Sequence, residues 1–301
     1  MVKLKADFEA NWIAQVRCRM TETWGTEVAR IPDRDVAIHY FHSFHRRIAR
    51  RARSLRIADD FRCPPGEEIR WKALQDKVLS GKDLNPHLSK GYRSLFNADG
   101  RLNVDGLLSE WGVHHFHLGT EPDPLCPNFV KRSGPLVFAL VDECAFYSIN
   151  VYEHTDSGVF ERLRIVESLH RNWPEVIGKY RLRGVAPEEL DEQKRRTLRK
   201  NGYQAAVGTA DGTVYGSIGG PTSPSGIKSE SVRDADIWAC QIRSLQNGLQ
   251  NQLCQLMPIF EQRGYAGEVE IEAELKITEE GYQAFFPKYG VRATLVLAEP
   301  I

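Results

Sequence analysis

Three of the chain's nine histidines stand within four positions, in the run Trp111-Gly112-Val113-His114-His115-Phe116-His117-Leu118-Gly119. Histidine is the side chain best matched to proton transfer near neutral pH, because its reference pKa of about 6.5 leaves both protonation states accessible. The run reads as a strand, and alternation sends His115 and His117 to one face, His114 and Phe116 to the other. Two imidazoles spaced in this way can share a substrate, one neutral and one protonated. His154 closes the run Val151-Tyr152-Glu153-His154 at the end of another expected strand and is the third catalytic candidate. Each positioned acid or base contributes roughly two to four orders of magnitude in rate. The alternative use of His115, His117 and His154 is as ligands of zinc, which needs three or four donors in tetrahedral geometry and could add His170 or Cys126. The expectation is therefore no cofactor, with zinc as the alternative.

Groups that could hold a phosphate lie in two places. Between Asp35 and Asp59 there is no acidic residue, while Arg46, Arg47, Arg50, Arg51, Arg53 and Arg56 all fall there. Arg46, Arg47, Arg50 and Arg53, with Arg132 of Lys131-Arg132-Ser133-Gly134 and the phenol of Tyr152, form the candidate substrate-binding set. The guanidinium fork suits phosphate oxygens, and cationic side chains supply the sequence-independent part of nucleic-acid affinity. The bland reading of the same arginines is a solvated or carboxylate-paired helix face. His39, His42 and His45 recur every three residues, a spacing that spirals around a helix and does not gather a metal. The glycine-rich stretch from Gly216 to Gly226 lacks a terminal Gly-Lys-Ser/Thr and carries prolines that remove backbone donors, so it reads as a surface loop.

Stepping outward from these residues, helical spacing covers 7–29 and then a second helix from Pro32-Asp33 through Val36, Ile38, Phe41, Phe44 and Ile48. Ser54 to Ala58 reads as a short strand, Glu67 to Ser80 as a helix stopped by Gly81, Asp83 to Ser89 as a loop, and Val104 to Trp111 as a short helix leading into the histidine strand. Gly134 to Leu140 and Phe146 to Tyr152 should pair antiparallel across an acidic turn. Helical spacing returns over 159–170, and 184–203 carries acidic then basic residues suited to an exposed helix. A hairpin is expected across Ala210-Asp211-Gly212, then a long helix over 232–263 and final strands at 269–277 and 291–297.

The expected fold class is α+β: N-terminal helices lead into a mixed or antiparallel sheet, followed by a smaller hairpin, long helix and hairpin part. The expected division is 1–183 with the histidine strand and central hairpin, a charged connecting segment at 184–202, and a C-terminal α+β domain at 203–301. The 301 residues, 42% hydrophobic, are enough for a sizeable core. Forty basic residues balance forty acidic ones, so any basic surface is local. Six cysteines form no CxxC pair, and no signal core or membrane-length apolar run is read. A cytoplasmic protein without membrane association is expected. A homo-oligomer or a protein partner engaging the C-terminal part is a further expectation.

From Arg132 through the apolar strand Leu136 to Leu140, the acidic turn and the strand ending Tyr152-Glu153-His154, the segment 114–173 loosely resembles ribonuclease toxins of the RelE type. The resemblance implies a few-stranded antiparallel sheet presenting arginine, histidine and tyrosine, and metal-free RNA cleavage through the ribose 2′-hydroxyl. This chain departs from the family in the purely apolar interior of the hairpin and in its greater length. The leading expectation is thus a nuclease-like protein cutting RNA by histidine acid–base catalysis, of the kind found in toxin or antiphage settings. The alternatives are a zinc-dependent hydrolase on the histidine strand and a non-catalytic nucleic-acid- or protein-binding module.

Overall fold

The structure, a computed structural model, describes residues 2–154, 158, 160, 163–186 and 190–297. They are α+β, in two compact units: residues 1–41 with 231–301, and residues 42–230. The chain begins in the first unit with β1 (Lys3–Lys5), α1 (Phe8–Trp24) and α2 (Asp33–Phe44), the unit boundary falling within α2. Asp7 starts α1 by accepting from Ala10 N–H at 2.8 Å, and Phe8, Trp12, Val16 and Met20 bury one face at a spacing of four. The second helix was expected to run to Ile48; it stops at Phe44, so most of the arginine segment is irregular chain and not a basic helix.

The second unit carries a mixed four-stranded sheet. Its strands are β2 (Ser54–Ile57), β3 (Val113–His117), β6 (Pro135–Val141) and β7 (Ala145–Glu153), in the order β2-β7-β6-β3, with β4 (Pro122–Asp123) and β5 (Cys126–Val130) forming a separate hairpin. β2 runs parallel to β7, and the other two pairs are antiparallel. The acidic turn between β6 and β7 is closed by Asp142, whose Oδ1 accepts from Cys144 N at 2.8 Å and Ala145 N at 2.7 Å. On one face α3 (Glu68–Ser80) contributes Trp71, Leu74 and Val78, which share a core with Phe116, Val137 and Phe146. On the other, α4 (Gly106–Trp111), α5 (Arg164–Asn172) and α6 (Pro174–Ile177) bury Trp111, Leu169 and Ile177 with Val113, Leu136 and Phe138. Of the helix expected from Val159, α5 is the described part; positions 159, 161 and 162 lie outside the described residues.

β8 (Arg181–Leu182), α7 (Glu192–Lys200), β9 (Val207–Gly208) and β10 (Val214–Tyr215) complete this unit, the three strands forming a sheet in the order β8-β10-β9. The hairpin expected across Asp211-Gly212 therefore exists, with shorter strands. It belongs to the second unit, however, and not to a C-terminal domain from 203 onward. The segment expected to connect domains at 184–202 lies inside the same unit, positions 187–189 being outside the described residues.

The chain then returns to the first unit with α8 (Ser229–Gln262), β11 (Glu270–Glu272), β12 (Glu274–Thr278), β13 (Gly281–Phe286) and β14 (Val291–Leu295). β1 and β11 pair parallel, and β12, β13 and β14 form an antiparallel meander in that order. Its middle strand was not expected. α1 docks on edge strand β12 through side chains: Asn11 Oδ1 accepts from Leu275 N at 2.8 Å and Gln15 Oε1 from Ile277 N at 3.0 Å. These bonds satisfy backbone groups that an open edge would leave exposed. No described helix is long and apolar enough to cross a membrane.

Candidate acid–base site

Strand pairing gathers the histidines at one end of the four-stranded sheet. His117 on β3 is opposite Leu136, Pro135 on β6 is opposite Glu153, and His154 N–H donates to Gly134 O at 3.1 Å. The His115 and His117 rings lie 6.4 Å apart, and His117 lies 6.4 Å from His154 with the two rings inclined by only 22°. His114 turns away beside Phe116, as alternation requires. Tyr152 meets Phe138 edge-on at 5.0 Å and is part of the aromatic packing beneath the site.

The three imidazoles differ in environment. His117 is 3% exposed, and burial, reinforced by Arg132, His115 and His154, pushes its pKa down to about 3. It is neutral at physiological pH and a feeble base. His115 is also held below its ordinary value by burial, but Asp105 opposes that effect. His154 is exposed at the end of β7. Arg132 is exposed and near enough to His115 and His117 to disfavour their charged forms.

Asp105 is the partner that the sequence reading missed. As N-cap of α4 it accepts from Leu108 N–H at 3.1 Å, and its Oδ2 lies 3.7 Å from His115 Nδ1. Burial raises its pKa, yet His115, the Leu108 N–H and Arg46 together hold the carboxyl below the usual carboxylate range. At 3.7 Å no hydrogen bond joins the two, so Asp105 acts on His115 through its charge, which stabilises the imidazole once it is protonated. The pair opens on a cavity of about 310 Å³ whose wall includes Arg46, Asn103, Phe160 and Arg199. That volume is at the small end of the roughly 300–1,000 Å³ of ligand pockets.

The four candidate arginines of the basic segment divide. Arg46 is buried at the cavity wall, donating from Nη1 to Asn103 O at 2.7 Å with its guanidinium 4.7 Å from the centre of the Tyr92 ring. Arg53 is also buried, but its donors go to the backbone oxygens of Asp142, Ala49 and Arg51, so it ties loops together and does not face a ligand. Arg50 is paired with Asp83 at 2.8 Å on the surface, and Arg47 is exposed. Arg199, read as part of a charged connecting helix, reaches the cavity from α7. Its Nε donates to Glu110 Oε2 at 2.6 Å and its Nη1 to Phe160 O at 2.9 Å.

Among the described residues no group of three His, Cys, Asp or Glu side chains is placed to hold a metal ion. The sequence signal that could have found Asp105 was its position before Gly106-Leu107-Leu108, a favoured N-cap placement. No such local signal exists for Arg199. Comparison of the chain with protein-family models, curated proteins and solved structures finds no match.

Proposed function

We propose that the second unit cleaves RNA by metal-independent acid–base catalysis. The observation that carries this reading is the half-buried Asp105–His115 pair facing a cavity walled by Arg46 and Arg199. His115 accepts the proton of a ribose 2′-hydroxyl as that oxygen attacks the adjacent phosphorus. The bond from phosphorus to the 5′-oxygen breaks, and His154, exposed to solvent, delivers a proton to the leaving oxygen. The products are a 2′,3′-cyclic phosphate and a 5′-hydroxyl end. Arg46 and Arg132 supply positive charge for the phosphate, and His117, kept neutral, spaces the two outer imidazoles and does not shuttle protons. Support also comes from the resemblance of 114–173 to RelE-type toxins, whose chemistry is of this class.

The test is cleavage of labelled single-stranded RNA in excess chelator by wild-type protein, His115→Ala and His154→Ala. Turnover that survives chelator and is lost in both variants is expected. Turnover only with added zinc moves the chemistry to a metal, and RNA binding without turnover leaves a binding module.

A further inference from the structure

Phe160 takes no part in these proton transfers, yet it stands where the histidine cluster meets the cavity. Its ring lies 5.4 Å from His115 and 6.0 Å from His154, approached by both at steep angles of 71° and 79°. From behind, it is stacked on Phe138 at 5.5 Å and 26°. Its carbonyl accepts from Arg199, whose guanidinium is pinned by Glu110 and lies 5.1 Å from the Trp111 ring centre. The ring is half-buried and part of the cavity wall.

We infer that Phe160 is the stacking platform for a nucleobase in the 310 Å³ cavity, an inference that rests on the RNA reading. Cations and imidazoles suffice to hold and cut a phosphate ester; an aromatic wall adds a surface for a flat ring. An aromatic side chain beside arginines is how proteins take unpaired bases, which stack on the ring while the phosphates meet the cations. Because Phe138 and the Arg199 bond already fix Phe160, stacking costs little further side-chain ordering.

The experiment measures binding of adenosine 5′-monophosphate and ribose 5-phosphate to the full chain by calorimetry, in wild type, Phe160→Leu and Phe160→Trp. Wild type binds the nucleotide more tightly than the sugar phosphate. Phe160→Leu weakens the nucleotide by roughly 5- to 100-fold, the worth of one base stack, and leaves the sugar phosphate unchanged. In Phe160→Trp the nucleotide, and not ribose 5-phosphate, quenches the added indole fluorescence, a readout that stands even if the leucine variant fails to fold. Equal binding of the two ligands to wild type, equal loss of both in Phe160→Leu, or no quenching overturns the platform. His115→Ala separates the two readings. Nucleotide binding that depends on Phe160 in a protein that cuts no RNA keeps the platform and removes the cleavage reading. Cleavage that requires His115 but is indifferent to Phe160→Leu does the reverse.

Discussion

Arg195 places its Nη1 2.8 Å from Glu110 Oε1, and both residues are 2% exposed. Glu110 also receives Arg199, so one carboxylate balances two guanidiniums stacked about Trp111. Removing the carboxylate leaves the Arg195 charge buried without its counter-charge, and breaking a buried pair typically costs about 3–5 kcal/mol. Glu110→Ala should therefore lower the denaturant midpoint by that equivalent, and Glu110→Gln, which keeps the acceptor oxygen, by less. A midpoint unchanged in Glu110→Ala would show that α7 is not held by this charge.

Asp105 should set the pH response of the proposed base. The carboxylate raises the basicity of His115 against the lowering effect of burial, so Asp105→Asn drops the His115 pKa further. A base works deprotonated, hence the acid limb of the rate profile moves to lower pH in Asp105→Asn, and the plateau rate falls. The profile of kcat/KM against pH for single-stranded RNA checks this. A lowered plateau with an unmoved limb would assign Asp105 a purely structural role.

How far the sequence is legible depends on how local each relationship is. Strand alternation puts His115 and His117 on one face and the β6–β7 hairpin is read over a short stretch, its acidic turn containing its own closing residue in Asp142, but His154 joins the other two only because β3 pairs with β6, a longer-range step. Asp105 meets His115 because a helix cap folds back on the following strand, a step of tertiary packing. α7 reads as an exposed charged helix because its arginines look solvated until Glu110, far away in sequence, is known to face them. The division into units was likewise hidden: β1 and β11 pair from opposite ends of the chain.

The arginine segment should separate by role. Arg53 donates to three backbone oxygens while buried, so Arg53→Ala is expected to cost roughly 2–3 kcal/mol of stability and to leave the salt dependence of RNA binding alone. Arg50 is exposed and its pair with Asp83 is worth under about 1 kcal/mol. Arg47→Ala and Arg50→Ala should each reduce the slope of log affinity against log salt by roughly 0.7, the value for one phosphate contact on a single strand. Slopes measured for the three variants decide the assignment, and a fall in slope for Arg53→Ala alone would reverse it.

Stability should fall steeply between pH 7 and 5. Burial lowers the pKa of His87 to about 4 and of His114 and His117 to about 3, against 6.5 in the unfolded chain. Below pH 6.5 the unfolded state takes up protons that the folded state refuses, so stability drops as pH falls through 6.5 and continues to drop to about pH 3–4. At about 1.4 kcal/mol per pH unit, each fully buried histidine loses roughly 2 kcal/mol by pH 5. Carboxylates held low in the fold, such as Asp59 and Glu268 at about 2, add their own loss only below their unfolded values of 3.8 and 4.5, so this interval isolates the histidines. His114→Phe, replacing a ring that already lies beside Phe116, should flatten the loss between pH 7 and 5 by about 2 kcal/mol, whatever it does to stability at pH 7. Urea unfolding of both proteins at the two pH values measures the difference, and identical pH slopes would mean that His114 is not buried as the uncharged form.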